Sequence, residues 1–165
     1  MSDDGPLDRT AIEELERRLI DEMWTDGDLA LVDEHHHEDL VAHWMPEGAE
    51  DRDGVRSFVA AIHEGFDRFT MEEEFLVVGD GMATVGFTAS GRHTGRFMGV
   101  PPTRKVGEVT GMYAHRFEDA VVAESWSSWD ALGMFQQLGV LPEDVGLSSF
   151  LGTGFRLAKH SLFDR

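Results

Sequence analysis

Residues 70–95 read TMEEEFLVVGDGMATVGFTASGRHTG, and in them apolar residues stop recurring every three or four positions and begin to alternate. Alternation is the mark of a half-buried strand, and Gly79-Asp80-Gly81 between two such runs is hairpin turn chemistry. The same pattern returns downstream as EVTGMYAHRF (108–117), a turn at Glu118-Asp119, and AVVAESWSSWD (120–130). We therefore expect three or four antiparallel strands joined by hairpins. Upstream the period is helical. In LDRTAIEELERRLIDEMW (7–24), Leu7, Ile12, Leu15, Leu19, Ile20 and Met23 form a stripe, with Asp8 or Thr10 as cap and Gly27 as stop. A second helix is expected over 28–39 (DLALVDEHHHED), and a third over 54–66 with Val55, Phe58, Val59, Ile62 and Phe66 on one face. Helices first and an antiparallel sheet afterwards is the α+β order. A strongly curved sheet with helices across its concave side would leave a conical cavity.

Composition narrows the class. The chain has 165 residues and no cysteine, so it is expected to form one core without disulfide, thiolate zinc site, iron–sulfur cluster or cysteine nucleophile. Fourteen basic against thirty-two acidic residues give a net charge of −18, and only Lys105 and Lys159 are lysines. Such a charge repels phosphate backbones and anionic lipid, arguing against nucleic-acid and membrane partners. It fits a salt-adapted, halophilic surface on which self-repulsion is screened. The start, MSDDGPLDRT, lacks the basic-then-apolar pattern of a signal peptide, and a cytoplasmic location is the expectation.

Residues 91–139 carry a more specific signal. They contain Gly91-Arg92-His93-Thr94-Gly95, Gly99-Val100-Pro101-Pro102-Thr103, Arg116, Glu124-Ser125-Trp126, Asp130 and Gln136-Gln137-Leu138-Gly139, in order. The segment resembles the SnoaL-like polyketide cyclases, or ester cyclases, of the NTF2-like superfamily. Upstream, DLALVDEHHHEDLVAHWMP is similar to the family's second helix and following segment, with His43 at the expected place. The chain departs from the family pattern at Arg92, Arg104-Lys105 and Ala120, the last standing where a turn glycine is usual. The resemblance implies an NTF2-like cone over residues 1–139, with 140–165 as a C-terminal extension. It also implies a cofactor-independent acid/base enzyme that closes a ring by intramolecular aldol condensation on a small apolar ester or ketone. The alternatives are a non-catalytic ligand-binding module, and a hydrolase or isomerase using the same pocket.

The candidate residues follow. By resemblance Asp130 matches the acid/base carboxylate. Alternation puts Glu124, Trp126, Ser128 and Asp130 on one face, and if that face lines the cavity, desolvation would raise the Asp130 pKa. Otherwise Asp130 caps the helix ALGMFQQ that follows it. His93 and His115 could donate to an enolate or alkoxide oxygen, or be ordinary sheet histidines. His115 shares a face with Tyr113, opposite Met112, Ala114 and Arg116. Trp126, Trp129, His43, Tyr113 and Phe135 are the expected pocket residues, and Arg116 with Glu124 an interior ion pair across the hairpin. Histidines 35, 36 and 37 on one helix would point 100° apart and could not share one metal ion, so no metal site is assigned. An open sheet face also favours a homodimer or larger homo-oligomer.

Overall fold

The computed structural model describes residues 8–142. Helix α1 (Arg9–Arg18) starts where Asp8 accepts a hydrogen bond from the Ala11 N–H at 2.8 Å. It runs on into a π-helical segment, Leu19–Thr25, that buries Leu19, Ile20, Met23 and Trp24. Gly27 then turns the chain at a φ of 77°, where a Cβ would lie 2.9 Å from the His63 ring. Helix α3 (Arg52–Gly65) is capped by Asp51, which accepts from the Gly54 N–H, and buries Val55, Val59 and Ile62. These two helices match the stripes of the sequence.

The second expected helix is shorter than 28–39. Helix α2 covers only Ala30–His35, and His36–Ala42 form strand β1. The reason is non-local: β1 pairs in parallel with a strand more than eighty positions later, matching His36 with Val122 and Ala42 with Ser125. Leu40 and Ala42 are thereby buried in the core, a gain that residues 36–42 could not make as a further helical turn.

The remaining strands are β2 (Phe66–Gly79), β3 (Met82–His93), β4 (Val106–Glu118) and β5 (Val121–Trp129), followed by helix α4 (Ala131–Gln137). They form one sheet in the order β1-β5-β4-β3-β2. The sheet is thus mixed and five-stranded, because β1 adds a parallel edge to the antiparallel meander expected from the sequence. Register shifts in β2, between Asp67 and Thr70 and between Glu73 and Phe75, and in the β4–β5 pair after Arg116, are irregularities of the kind that curl a sheet. Helices α1 to α3 close the concave side over a core that includes Leu31, Val32, Val59, Val85, Phe87 and Val122. Architecture and element order are those of an α+β cone. From residue 143 onward the expected C-terminal extension lies outside the described residues.

Candidate active site

A cavity of about 90 Å³ lies between the concave sheet and the helices. Its wall is mostly carbon, supplied by Trp24, Trp44, Phe58, Phe66, Phe87, Phe97, Trp129 and other apolar residues. Drug-sized ligand pockets run roughly 300–1,000 Å³, so a ligand of several rings needs the wall to give. Phe97, in the segment between β3 and β4, forms part of that wall and packs edge-on against Phe66 with ring centroids 5.1 Å apart.

Several polar groups of the wall come from two neighbouring strands. Alternation along β4 turns Tyr113 and His115 inward, and along β5 it turns Ser125, Ser127 and Trp129 inward. Behind Tyr113 and His115 stands Glu16 of α1, with no exposed surface. Its carboxylate accepts a hydrogen bond from the Tyr113 hydroxyl at 3.0 Å and meets His115 Nδ1 at 2.8 Å. Burial, and then the Glu16 charge, push the Tyr113 phenol well above its ordinary range, so it stays a donor. With a carboxylate on Nδ1, the His115 tautomer that carries its hydrogen there leaves Nε2 with a lone pair.

His36, the first residue of β1, also lines the cavity, edge-on to His115 with ring centroids 6.1 Å apart. Burial, and then the neighbouring His115, lower its pKa to about 3, so it is a neutral imidazole. Trp44 Nε1 donates to Ser125 Oγ at 3.0 Å. Among the described residues, Trp24 Nε1, His36 Nδ1 and His93 Nε2 are buried without a hydrogen bond of ordinary geometry, though the His36 ring interacts with the backbone of Val32 and Leu31. The first two belong to residues of the cavity wall.

Of the residues expected from the sequence, Tyr113, His115 and Trp129 line the cavity and the others do not. Asp130 is exposed and caps α4, its Oδ1 accepting from the Gly133 N–H at 2.8 Å. The face it shares with Glu124, Trp126 and Ser128 is the convex one, because the inward face of β5 is set by Ser125, Ser127 and Trp129. Trp126 is 37% exposed there and stacks on His43, with centroids 4.8 Å apart and planes at 9°. The Arg116–Glu124 pair forms, with Arg116 Nε to Glu124 Oε1 at 2.7 Å, but on this convex face and not in the interior. His43 Nε2 lies 2.7 Å from the other Glu124 oxygen, and these contacts, led by His43, hold the Glu124 carboxyl below its ordinary range. Phe135 packs against the core from α4 without reaching the wall. His93 is fully buried behind Phe66, and its Nδ1 accepts from the Thr103 N–H at 3.2 Å, while burial lowers its pKa.

Sequence reasoning missed Glu16 and His36. A signal for Glu16 existed, since it falls four residues after Ile12 and four before Ile20, inside the apolar stripe of α1. Histidines 35, 36 and 37 do diverge, but as the junction of a helix and a strand: His35 meets Arg18, His36 the cavity, and His37 Nδ1 accepts from the Asp39 N–H.

An α+β cone with a hydrophobic, acid/base-equipped cavity defines a class that the comparisons make specific. Residues 14–138 match the family model for the SnoaL-like polyketide cyclases, and the chain belongs to that family. Among solved structures it is similar to TsrD from Streptomyces laurentii, at 25% identity and a TM-score of 0.76, over 82% of this chain and 99% of that one. A protein described as a SnoaL-like polyketide cyclase from Jannaschia sp. matches at 25% identity and a TM-score of 0.72, with the same coverage. IdmH from Streptomyces antibioticus, described as a polyketide cyclase, matches at 28% identity and a TM-score of 0.66, over 77% of this chain and 97% of its own. No curated protein matches the chain. Among the described residues, no helix is long and apolar enough to cross a membrane.

Proposed function

We propose that the protein is a cofactor-independent cyclase that closes a ring by intramolecular aldol condensation, and that His115 carries the proton. One observation supports this above the others: His115 opens onto an apolar cavity while its Nδ1 rests against the fully buried Glu16. His115 Nε2 takes a proton from carbon next to a carbonyl, and the enolate carbon bonds to a second carbonyl carbon of the same molecule. The imidazolium then returns the proton to the new alkoxide, so the product is an isomer of the substrate and no co-reactant is consumed. Glu16 holds the ring in one tautomer and stabilises its charged form, as a carboxylate behind a catalytic histidine does. The aromatic wall folds an apolar, polyketide-like ester or ketone so that the reacting carbons meet.

The family resemblance implies proton transfer by Asp130, and the two assignments separate in one assay. The reverse reaction on 4-hydroxy-4-phenylbutan-2-one needs the same groups: a base takes the hydroxyl proton, the C–C bond breaks to benzaldehyde, and the acetone enolate takes the proton back. His115→Gln should lower this turnover about 10²–10⁴-fold, whereas Asp130→Asn, still a good cap, should change it less than about threefold. Loss in Asp130→Asn with His115→Gln unaffected, or no wild-type turnover above the His115→Gln level, contradicts the proposal.

The cyclase works in the cytoplasm as a homodimer or larger homo-oligomer joined through the convex sheet face. Phe75, Val77, Met112 and Trp126 are exposed on strands β2, β4 and β5, and Glu74 and Glu108 flank them. Rims of like charge require salt to approach, consistent with a salt-adapted chain of net charge −18. Sedimentation at high salt should give a species above 18.4 kDa, and a monomer at every salt concentration would end this part of the reading.

A further inference from the structure

The wall of the cavity includes no Asp, Glu, Lys or Arg. A charged ligand would shed its hydration there with no opposite formal charge to replace it, so an uncharged one loses least on entry. Such a ligand still needs a polar contact to orient it, and several polar side chains of the wall are already committed to the protein. The Tyr113 hydroxyl and His115 Nδ1 meet Glu16, Ser125 Oγ accepts from Trp44 Nε1, and the His36 ring lies against the backbone of Val32 and Leu31.

Ser127 is not. It lies between Ser125 and Trp129 on the inward face of β5, lines the cavity and is half-buried. Among the described residues its hydroxyl makes no hydrogen bond, and it is not one of the polar atoms sealed off from all surface. The group is therefore open to whatever fills the cavity. Strand register pairs Ser127 with Tyr113 and Ser125 with His115, which makes Ser127 the diagonal neighbour of His115. Diagonal neighbours across an antiparallel pair stand about 7–8 Å apart. A carbonyl group and the carbon beside it can bridge such a gap, with one end at each side chain. Both positions sit within the β4–β5 ladder, so a rigid element carries the two groups.

We propose that Ser127 is the oxygen-binding residue of the cavity, its hydroxyl donating to the carbonyl oxygen of an uncharged ketone or ester whose adjacent carbon lies at His115. This rests on the reading of the cavity as the cyclase site, and it adds to that site the residue that orients the substrate. A hydroxyl suits the task because it turns to meet the ligand and brings no charge into an apolar wall. When the carbon at His115 loses its proton, charge gathers on the carbonyl oxygen, and the hydrogen bond from Ser127 strengthens with it. A hydrocarbon of the same shape would gain nothing from this contact.

The test uses the full chain and two probes of nearly equal shape, acetophenone and α-methylstyrene, which differ by an oxygen against a methylene. Affinities are measured by calorimetry for wild type, Ser127→Ala, Ser127→Thr and Ser128→Ala, the last altering the outward neighbour on the same strand. In Ser127→Ala the ketone-to-hydrocarbon affinity ratio should fall about fivefold, the equivalent of one hydrogen bond. Ser127→Thr keeps the hydroxyl and should hold the ratio, even where its added methyl group weakens both probes. Ser128→Ala should match wild type. The infrared carbonyl stretch of bound acetophenone gives a second reading, because donation weakens the C=O bond. It should lie at lower frequency in wild type than in Ser127→Ala. An unchanged ratio or an unmoved stretch in Ser127→Ala, an equal fall in Ser128→Ala, or no wild-type binding of either probe would overturn the proposal. Because turnover is not read, a failure here leaves the retro-aldol assay standing. A responsive ratio without retro-aldol turnover would instead sink the cyclase reading and keep Ser127 as a ligand contact.

Discussion

Strand β5 presents two contrasting faces one residue apart. Ser125, Ser127 and Trp129 look into the cavity, while Glu124, Trp126, Ser128 and Asp130 look away from it. Glu124, Trp126 and Asp130 of the outward set belong to the motif that carries the family resemblance, and their contacts here are structural: Glu124 ties down Arg116 and His43, Trp126 stacks on His43, and Asp130 starts α4. The inward set is plain in sequence, yet it shares the cavity with the Glu16–His115–Tyr113 contact network. On the proposed reading, a conspicuous motif marks the fold while the chemistry sits on the other face of the same strand.

The contrast can be broken most severely at Glu16. Glu16→Ala strips the hydrogen-bond partner from His115 and Tyr113 inside the core, and each buried polar group left unpaired costs about 1–3 kcal/mol. Denaturant melts of this variant should show a loss of that order. A loss no greater than for exposed Glu118→Ala would mean that Glu16 does not hold the inner network together.

Acid should weaken the inner face next. His36 has a folded pKa of about 3 against an ordinary value near 6.5. Between these values the unfolded chain takes up a proton that the folded chain does not, so stability falls as pH drops from about 6.5 toward 3. The slope from this one group approaches about 1.4 kcal/mol per pH unit. His35 and His115 neighbour His36, and many carboxylates titrate toward the lower end of that window, so the informative quantity is the difference between wild type and His36→Phe. Urea melts from pH 6.5 to 5 should show the variant losing less stability than wild type. Parallel curves would contradict a buried neutral His36.

On the convex face the effects shrink. Asp130→Ala should cost about 1 kcal/mol through loss of the α4 cap, while Asp130→Asn should be nearly neutral. Thermal melts showing a large penalty for Asn would mean that the charge, and not the cap, matters there. The smallest change concerns the turn that joins β4 and β5 and aligns both faces. Asp119 and Ala120 adopt φ values of 47° and 69°, a left-handed pair in which Ala120 carries a Cβ. Ala120→Gly should stabilise the hairpin by about 0.5–1 kcal/mol, and a lower melting temperature would contradict this.

These contrasts also explain what the sequence could and could not reveal. The stripes of α1 and α3, the hairpin turns and the β3–β5 meander are local signals, and each element lies within a few residues of its expected place. Strand β1 was not legible, because its state is decided by parallel pairing with β5. Alternation assigned the members of each face correctly, with Tyr113 and His115 opposite Met112 and Arg116. It could not say which face of β5 points inward, because both contain a tryptophan, Trp126 on one and Trp129 on the other. Glu16 acquires its meaning only from Tyr113 and His115, 97 and 99 positions later.

The central claim is that the reacting groups stand on the concave face around His115 and not at Asp130. A crystal structure of the full chain soaked with 4-hydroxy-4-phenylbutan-2-one tests it directly. The account predicts the phenyl ring among Phe66, Phe87 and Trp129 and one oxygen within about 3 Å of His115 Nε2. Density for the ligand on the convex face beside Asp130, with the cavity empty, would contradict it.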